Sequence, residues 1–303
     1  MSTQITTAFV NQYRDNVEHL LRQEGSKLRM CVRTETQNGE KAYYEQIGDS
    51  TVKTKTSRHS KVEYSDTPHA RRMVVTEYKY TSDLVDKDDK LRMLIDPTSD
   101  YAQSQSDALG LDLDRTILTA AFGTAYTGKE GGTSTAFDSS MVVPVTLQDG
   151  AGSSDCSLNV AKIRRASRLL DDEYVPERDR IIIAPPRQKE VLLSSTEITS
   201  SDYNSVKALV NGDVNTFMGF KFVWTPLVSS EFTDANSDDR VLFFQKTGML
   251  LAMSKDIGVK MDTLPEYHHA TQVYCSLDCG ATRMQEKKVG YIICDPTAGI
   301  TAA

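Results

Sequence analysis

Between Gly48 and His69 the chain carries almost no apolar bulk, yet the residues on either side alternate as strands do. Lys41 to Ile47 and Arg72 to Tyr80 are rich in β-branched and aromatic residues at period two, the pattern of half-buried strands. A long polar excursion between two strands cannot fill a core. It is either a solvated loop or a hairpin that lies across another surface. Between residues 51 and 72, Lys53, Lys55, Arg58, Lys61, Arg71 and Arg72 oppose only Glu63 and Asp66, so a surface that receives the hairpin is expected to be acidic. The chain as a whole is acidic, with 42 Asp plus Glu against 35 Lys plus Arg and a formal charge of -7.

That charge, with a pI near 5.4, offers no electrostatic footprint for a phosphate backbone, so a dedicated nucleic-acid binder is not expected. The 303 residues, 39% hydrophobic and 25% charged, suit one large soluble domain or two ordinary ones. Mean hydropathy is -0.41, and no apolar run approaches the roughly 20 residues of a membrane span. The first residues lack the basic and apolar regions of a signal peptide, so the chain is expected to stay where it is made. Cys31, Cys156, Cys275, Cys279 and Cys294 are odd in number and scattered, which reads as reduced thiols rather than a disulfide scaffold. Cys275 and Cys279, with His268 and His269 upstream, are the one grouping that suggests zinc. They lack compact Cys-x-x-Cys pairs and lie in strand-like sequence, which favours buried small hydrophobes beside a surface His pair; no metal is expected.

At the N-terminus, Ile5, Phe9, Tyr13, Val17, Leu20 and Leu21 form one stripe on a helix of about five turns ended near Gly25. Either the chain's own core or a neighbouring subunit must cover that stripe. Lys27 to Arg33 and Val52 to Thr56 also alternate as strands. Asp96-Pro97 opens a second helix, which runs to Gly123 with a steady amphipathic period and a length on the order of 40 Å. Gly123 to Asp155 reads as a flexible connector holding a short strand at Met141 to Val145. Leu158 to Glu173 reads as a helix with Val160, Ile163, Ala166, Leu169 and Leu170 inward and Lys162, Arg164, Arg165 and Arg168 outward. A buried strand at Arg180 to Ala184 follows, then helices at Gln188 to Leu193 and Asn204 to Asn211. The remainder alternates as strands: Lys221 to Trp224, Arg240 to Gln245, Met249 to Met253, Gly258 to Asp262, Gln272 to Leu277 and Lys288 to Cys294. Strands flanking a helical middle without βαβ alternation indicate an α+β fold.

Chemistry-bearing motifs are sparse. Gly123 to Lys129 has the G-x-x-x-x-G-K spacing of a phosphate loop, but Glu130 stands where Ser or Thr would hold magnesium, and the glycines follow a helix instead of preceding one. No nucleophile elbow, zinc helix or dinucleotide fingerprint occurs, and neither catalytic residues nor a cofactor is expected. Asp171-Asp172 and Asp238-Asp239 read as solvated pairs, and the single Trp224 as a core or interface anchor.

The order and texture of these segments resemble the major capsid protein of tailed bacteriophages, an α+β chain with the HK-97-type fold, over nearly the whole sequence. The likeness runs through the Leu28 to Tyr80 stretch, the helix after Asp96-Pro97, and Lys162 to Ser195 with its helix, Val-Pro turn, apolar strand and second helix. It continues through Asn211 to Val223 and the closing strands after Ala252. It implies an N-terminal arm over 1–35 and an extended loop over 36–82. A peripheral domain is implied over 83–150, with its spine helix near 97–123 and further strands over 251–286. An axial domain is implied over 151–250, and a closing strand and tail over 287–303. Pentamers and hexamers would close into an icosahedral shell around packaged double-stranded DNA, with no membrane partner. The virion would assemble in the bacterial host cytoplasm with a separate scaffolding protein and a portal, and with room for a decoration protein outside. Phe9, Tyr13 and Val17 of the arm, with Lys53, Lys55, Arg58, Lys61, Arg71 and Arg72 of the loop, become the expected intersubunit contacts. An encapsulin-like compartment is the allied alternative. An enzyme binding nucleotide through Gly128-Lys129 is the alternative from another class.

Overall fold

A computed structural model describes residues 23–86, 98–148, 154–194 and 216–298; the arm stripe with Phe9, Tyr13 and Val17 and the Asn204 to Asn211 helix lie outside the described residues. The strands are β1 (Arg33–Thr36), β2 (Lys41–Ile47), β3 (His69–Val75), β4 (Glu77–Val85), β5 (Ala125–Thr127), β6 (Thr133–Thr135), β7 (Val142–Val143), β8 (Arg180–Ala184), β9 (Thr216–Phe217), β10 (Phe220–Trp224), β11 (Asp239–Gln245), β12 (Met249–Leu264), β13 (Ala270–Arg283) and β14 (Val289–Cys294). The helices are α1 (Thr98–Phe122), α2 (Val160–Asp172), α3 (Pro186–Ser194) and α4 (Leu227–Glu231). The expected α+β class is what the structure shows. The chain divides into two compact units: Met1–Ser26 with Tyr78–Asp112 and Lys255–Asp278, and Lys27–Glu77 with Leu113–Ser254 and Cys279–Ala303.

The second unit is built on a mixed six-stranded sheet of order β7-β14-β11-β8-β10-β9. β8 is buried along its whole length, and its Ile182 and Ala184 lie in the core that the helices cover. Ile182, Val241, Phe243 and Ile292 share one core with Ile163, Ala166 and Leu170 of α2 and Leu192 of α3. Asn159 starts α2 by accepting from the Lys162 amide at 2.8 Å, an N-cap that satisfies one orphan donor. α3 begins at Pro186, earlier than the periodicity predicts, since a proline fits the first helical turn. Gly290 lies opposite Phe243 in the register, and a Cβ there would be driven into that ring and to 2.5 Å from the Met141 carbonyl.

In the first unit, β4 and the adjoining lengths of β12 and β13 carry the start of α1 on one face. The Cys275 thiol reaches the Ala102 carbonyl at 3.8 Å, and Lys79 pairs with Asp112 at 2.7 Å. Gly110 sits inside α1 because a Cβ there would come within 2.6 Å of the Gly25 backbone, whose amide donates to Asp107 at 3.2 Å.

Four expectations need correction. Lys27 to Arg33 is not a strand; a 3₁₀ turn at Arg29–Cys31 leads into β1, which runs parallel to β12 from Arg33 opposite Leu250 to Thr36 opposite Met253. The connector after Gly123 is not merely flexible, for β5 and β6 form a hairpin that pairs with β3. Lys162 does not face outward: its ammonium is buried and donates to the carbonyls of Cys156 at 2.5 Å and Ile293 at 2.9 Å. Asp239 is not solvated either. Fully buried in β11, it accepts from Arg187 Nε at 2.7 Å and Gln188 Nε2 at 2.8 Å.

Candidate assembly surfaces

The basic hairpin is formed by β2 and β3, in antiparallel register from Lys41 opposite Val75 to Ile47 opposite His69. Its inner face packs Val74 and Tyr44 with Leu250, Ala252 and Met284, a small satellite cluster of the second unit. Beyond Ile47 the chain leaves this support, and residues 48–68 hold no strand, Val52 to Thr56 included. Val52, Val62 and Tyr64 are 97%, 80% and 91% exposed, which is the reverse of what a chain does with such side chains unless they are covered by something else. Lys53 crosses the loop to Glu63 at 3.0 Å and the Tyr64 carbonyl at 3.2 Å. Lys55, Arg58 and Lys61 are exposed and have no hydrogen-bond or ion-pair partner among the described residues.

Arg71 and Arg72 differ from these cations, because both are engaged by their own chain at the hairpin base. Arg71 pairs with Glu45 at 2.5 Å, donates to the Lys129 carbonyl at 3.2 Å and lies 5.7 Å from the centre of the Tyr43 ring. Arg72 is buried, paired with Glu286 at 3.1 Å and hydrogen-bonded to the Met284 carbonyl at 3.1 Å. Burial weakens its hold on its proton while Glu286 opposes that loss. With 9% of its side chain exposed, Arg72 turns its guanidinium to its own chain at the base of the hairpin.

A second exposed face lies in the first unit, on the side of its strands away from α1. Tyr80 stacks on Tyr274 with ring centres 5.8 Å apart, and the Tyr78 and Tyr274 hydroxyls are 2.9 Å apart. That hydrogen bond pushes the Tyr274 phenol up to about 12. Lys255 lies over the Tyr78 ring, and Val259 and Met261 are exposed on β12. The alternation of Tyr78 and Tyr80 was the signal for this face; the partner Tyr274 comes from a strand far along the chain.

The remaining motifs fall into structural settings. Gly123 closes α1, its amide donating to the Thr119 carbonyl at 2.8 Å, and Gly128-Lys129 turns the chain between β5 and β6 with Gly128 at φ 95°. The strand β6 follows that lysine where a phosphate loop would open a helix, so these residues form a β-turn and not the geometry of a phosphate loop. Cys275 and Cys279 are buried four residues apart in one strand, about 13 Å, too far to share an ion. His268 and His269 are exposed in a turn, both in left-handed backbone. Trp224 stacks on Phe222 at 5.3 Å, at the margin of the second unit's core. Among the described residues no helix is long and apolar enough to cross a membrane.

A family model described as phage capsid protein matches residues 5–296. No curated protein matches by sequence. Among solved structures, the fold is similar to the capsid of cyanophage P-SCSP1u, with TM-score 0.75 at 15% identity over 97% of this chain and 95% of that one. It is also similar to a chain of Mycobacterium phage Che8, with TM-score 0.69 at 14% identity over 96% and 98%. The capsid of Ralstonia phage GP4 gives TM-score 0.70 at 12% identity over 97% of each chain. By sequence across nearly its whole length, and by an α+β fold of the HK-97 type, this chain belongs to the phage capsid protein family, the shell-forming proteins of the virion.

Proposed function

We propose that the chain assembles in the host cytoplasm into pentamers and hexamers of an icosahedral shell that encloses packaged double-stranded DNA. The observation that carries this reading is the 48–68 loop. It holds out Val52, Val62 and Tyr64 together with Lys55, Arg58 and Lys61, a surface that gains stability only when another surface covers it. An acidic chain of net charge -7 supplies the complementary surface from a second copy. The tyrosine face of the first unit suits such a loop, since aromatic rings receive both apolar side chains and cations. Contacts worth about 0 to 1 kcal/mol each stabilise a shell because symmetry repeats them. The arm residues Phe9, Tyr13 and Val17 would add a second strap between subunits. Peripheral and axial domains with the boundaries expected from the resemblance belong to the same reading.

Double-stranded DNA would be enclosed without sequence-specific contacts, because an acidic lining lets the duplex move during packaging and ejection. A separate scaffolding protein and a portal are the expected partners. The test is negative-stain microscopy of the purified chain, with and without scaffold, beside the triple variant Lys55→Glu, Arg58→Glu, Lys61→Glu. Wild-type rings or shells, absent in the triple variant while its unfolding midpoint is unchanged, are the expected result. Monomers alone under all salt and scaffold conditions would sink the reading. Shells that capture a cargo peptide and exclude DNA would favour the encapsulin-like alternative.

A further inference from the structure

The C-terminal end of α2 is closed by a six-to-one hydrogen bond from the Val175 amide to the Leu170 carbonyl and an inner one from the Tyr174 amide to the Asp171 carbonyl, both 3.0 Å. In this arrangement the residue between, here Tyr174, must adopt left-handed backbone, and glycine is the usual occupant. Tyr174 sits there at φ 55° with its side chain 96% exposed. Two unfavourable features thus coincide at one position: strain that glycine would relieve, and a large ring given wholly to water. Neither serves the isolated chain.

Charge around the same helix is divided. Arg164, Arg165 and Arg168 are exposed on α2, and Arg165 has no partner among the described residues. Residues 171–179 carry five carboxylates against one arginine; Asp171 is paired with Arg180, Asp172 with Arg168 and Glu173 with Lys287, while among the described residues the Glu177 side chain has no partner and faces no such countercharge. Arg164 and Tyr174 are about 15 Å apart along the helix direction, so one element presents a basic flank and an acidic tip.

We infer that Tyr174 and its acidic turn form a docking knob for a second copy of this chain, received by that copy's basic α2 flank around the axis of a ring. The patches are opposite in sign and lie on different parts of one helix, so the contact is heterologous: the tip of each copy meets the flank of the next, and repetition closes a cycle. Tyr174 supplies the buried aromatic anchor, and the charges fix the direction of travel around the ring. The inference rests on the ring-forming reading above.

The experiment measures the concentration at which the full-length chain forms rings, by sedimentation and negative-stain microscopy, beside urea unfolding. Tyr174→Gly is expected to unfold at the same or a higher urea concentration than wild type, yet to need at least about tenfold more protein for rings, the shift that loss of one interface anchor produces. Arg165→Glu and Glu177→Arg are expected each to impair ring formation, and their combination to restore it. Rings at wild-type concentration from both Tyr174→Gly and Arg165→Glu would overturn the knob while leaving the capsid reading intact. Absence of rings from wild type with scaffold would overturn both.

Discussion

Arg283 donates from its guanidinium to the carbonyl of Ala121 at 2.9 Å, closing the C-terminal end of α1 from a strand far along the chain. The same side chain, fully buried, also reaches the carbonyls of Ala120 at 3.3 Å and Gly123, pairs with Glu286 at 2.7 Å and lies over the Phe137 ring. A helix end buried in protein must have its last carbonyls satisfied, and here one planar fork does so. Arg283→Lys is therefore expected to lose about 2 to 3 kcal/mol, because a single ammonium cannot span these acceptors. Urea unfolding of the unassembled chain measures this; a loss under about 0.5 kcal/mol would show the fork to be dispensable.

Glu286 serves two arginines at once, Arg283 and Arg72, and so joins the end of α1 to the base of the basic hairpin. Glu286→Gln leaves both guanidinium groups buried without a countercharge. A destabilisation of about 3 to 5 kcal/mol is expected, with the largest gain in amide exchange along β2 and β3. Uniform exchange changes across the sheet core, with the hairpin unaffected, would separate the hairpin from this carboxylate.

β8 was readable as a buried strand because its apolar run has no polar alternation, and α1 and α2 because their stripes keep helical period. Lys162, Asp239 and Arg72 were not. A charged residue type implies solvent unless its partner is known, and these partners, the Ile293 carbonyl, Arg187 and Glu286, are remote in sequence. β5 and β6 carry three residues each, too few to show a period, and β12 reads as two strands because it passes from buried Met253 to exposed Lys255 and Asp256. The hairpin's cations were legible as a group; which of them pair within their own chain depends on Glu45, Glu63 and Glu286.

Gly280 lies where β13 passes the end of β3, and a Cβ there would overlap the Val75 carbonyl and come within 3.1 Å of the Thr76 Cα. Backbone cannot step aside as a flexible side chain can. Gly280→Ala is expected to cost about 1 to 3 kcal/mol by displacing the hairpin, measured as a lower urea midpoint. An unchanged midpoint would mean that β3 shifts freely on β13.

Thiol chemistry offers a check of the core. Cys31, Cys275, Cys279 and Cys294 are buried, and burial pushes the Cys294 thiol up to about 12, so it holds its proton and is a poor nucleophile. Cys156 alone is part-exposed. A thiol reagent at pH 8 is expected to modify one cysteine of the native chain, mapping to Cys156 by mass spectrometry, and all five after unfolding in urea. Rapid modification of Cys294 in the native chain would contradict its enclosure.

Asp238 points the other way from the carboxylates that stabilise the fold. Asp138, held by the Ser140 amide, and Asp295, held by the Thr297 amide, keep their carboxyls below the usual range. Their folded forms bind fewer protons than the unfolded chain, so the stability they contribute is present above about pH 4 and lost as pH falls through the folded values. For Asp238, burial raises the carboxyl, and Asp234, Asp295 and Asp155 raise it further against the opposing Lys162. Its folded form binds more protons than the unfolded one, so stability declines as pH rises from about 4 through the raised value and stays lower beyond it. Asp238→Asn removes that charge while its backbone amide still donates to Asp234 at 2.9 Å and its carbonyl still accepts from the Asp234 amide at 3.0 Å. The variant is expected to unfold at higher urea than wild type at pH 7 and at the same urea near pH 3, where both side chains are neutral. A variant less stable than wild type at pH 7 would mean that the attraction of Lys162 outweighs the three carboxylates and the burial together.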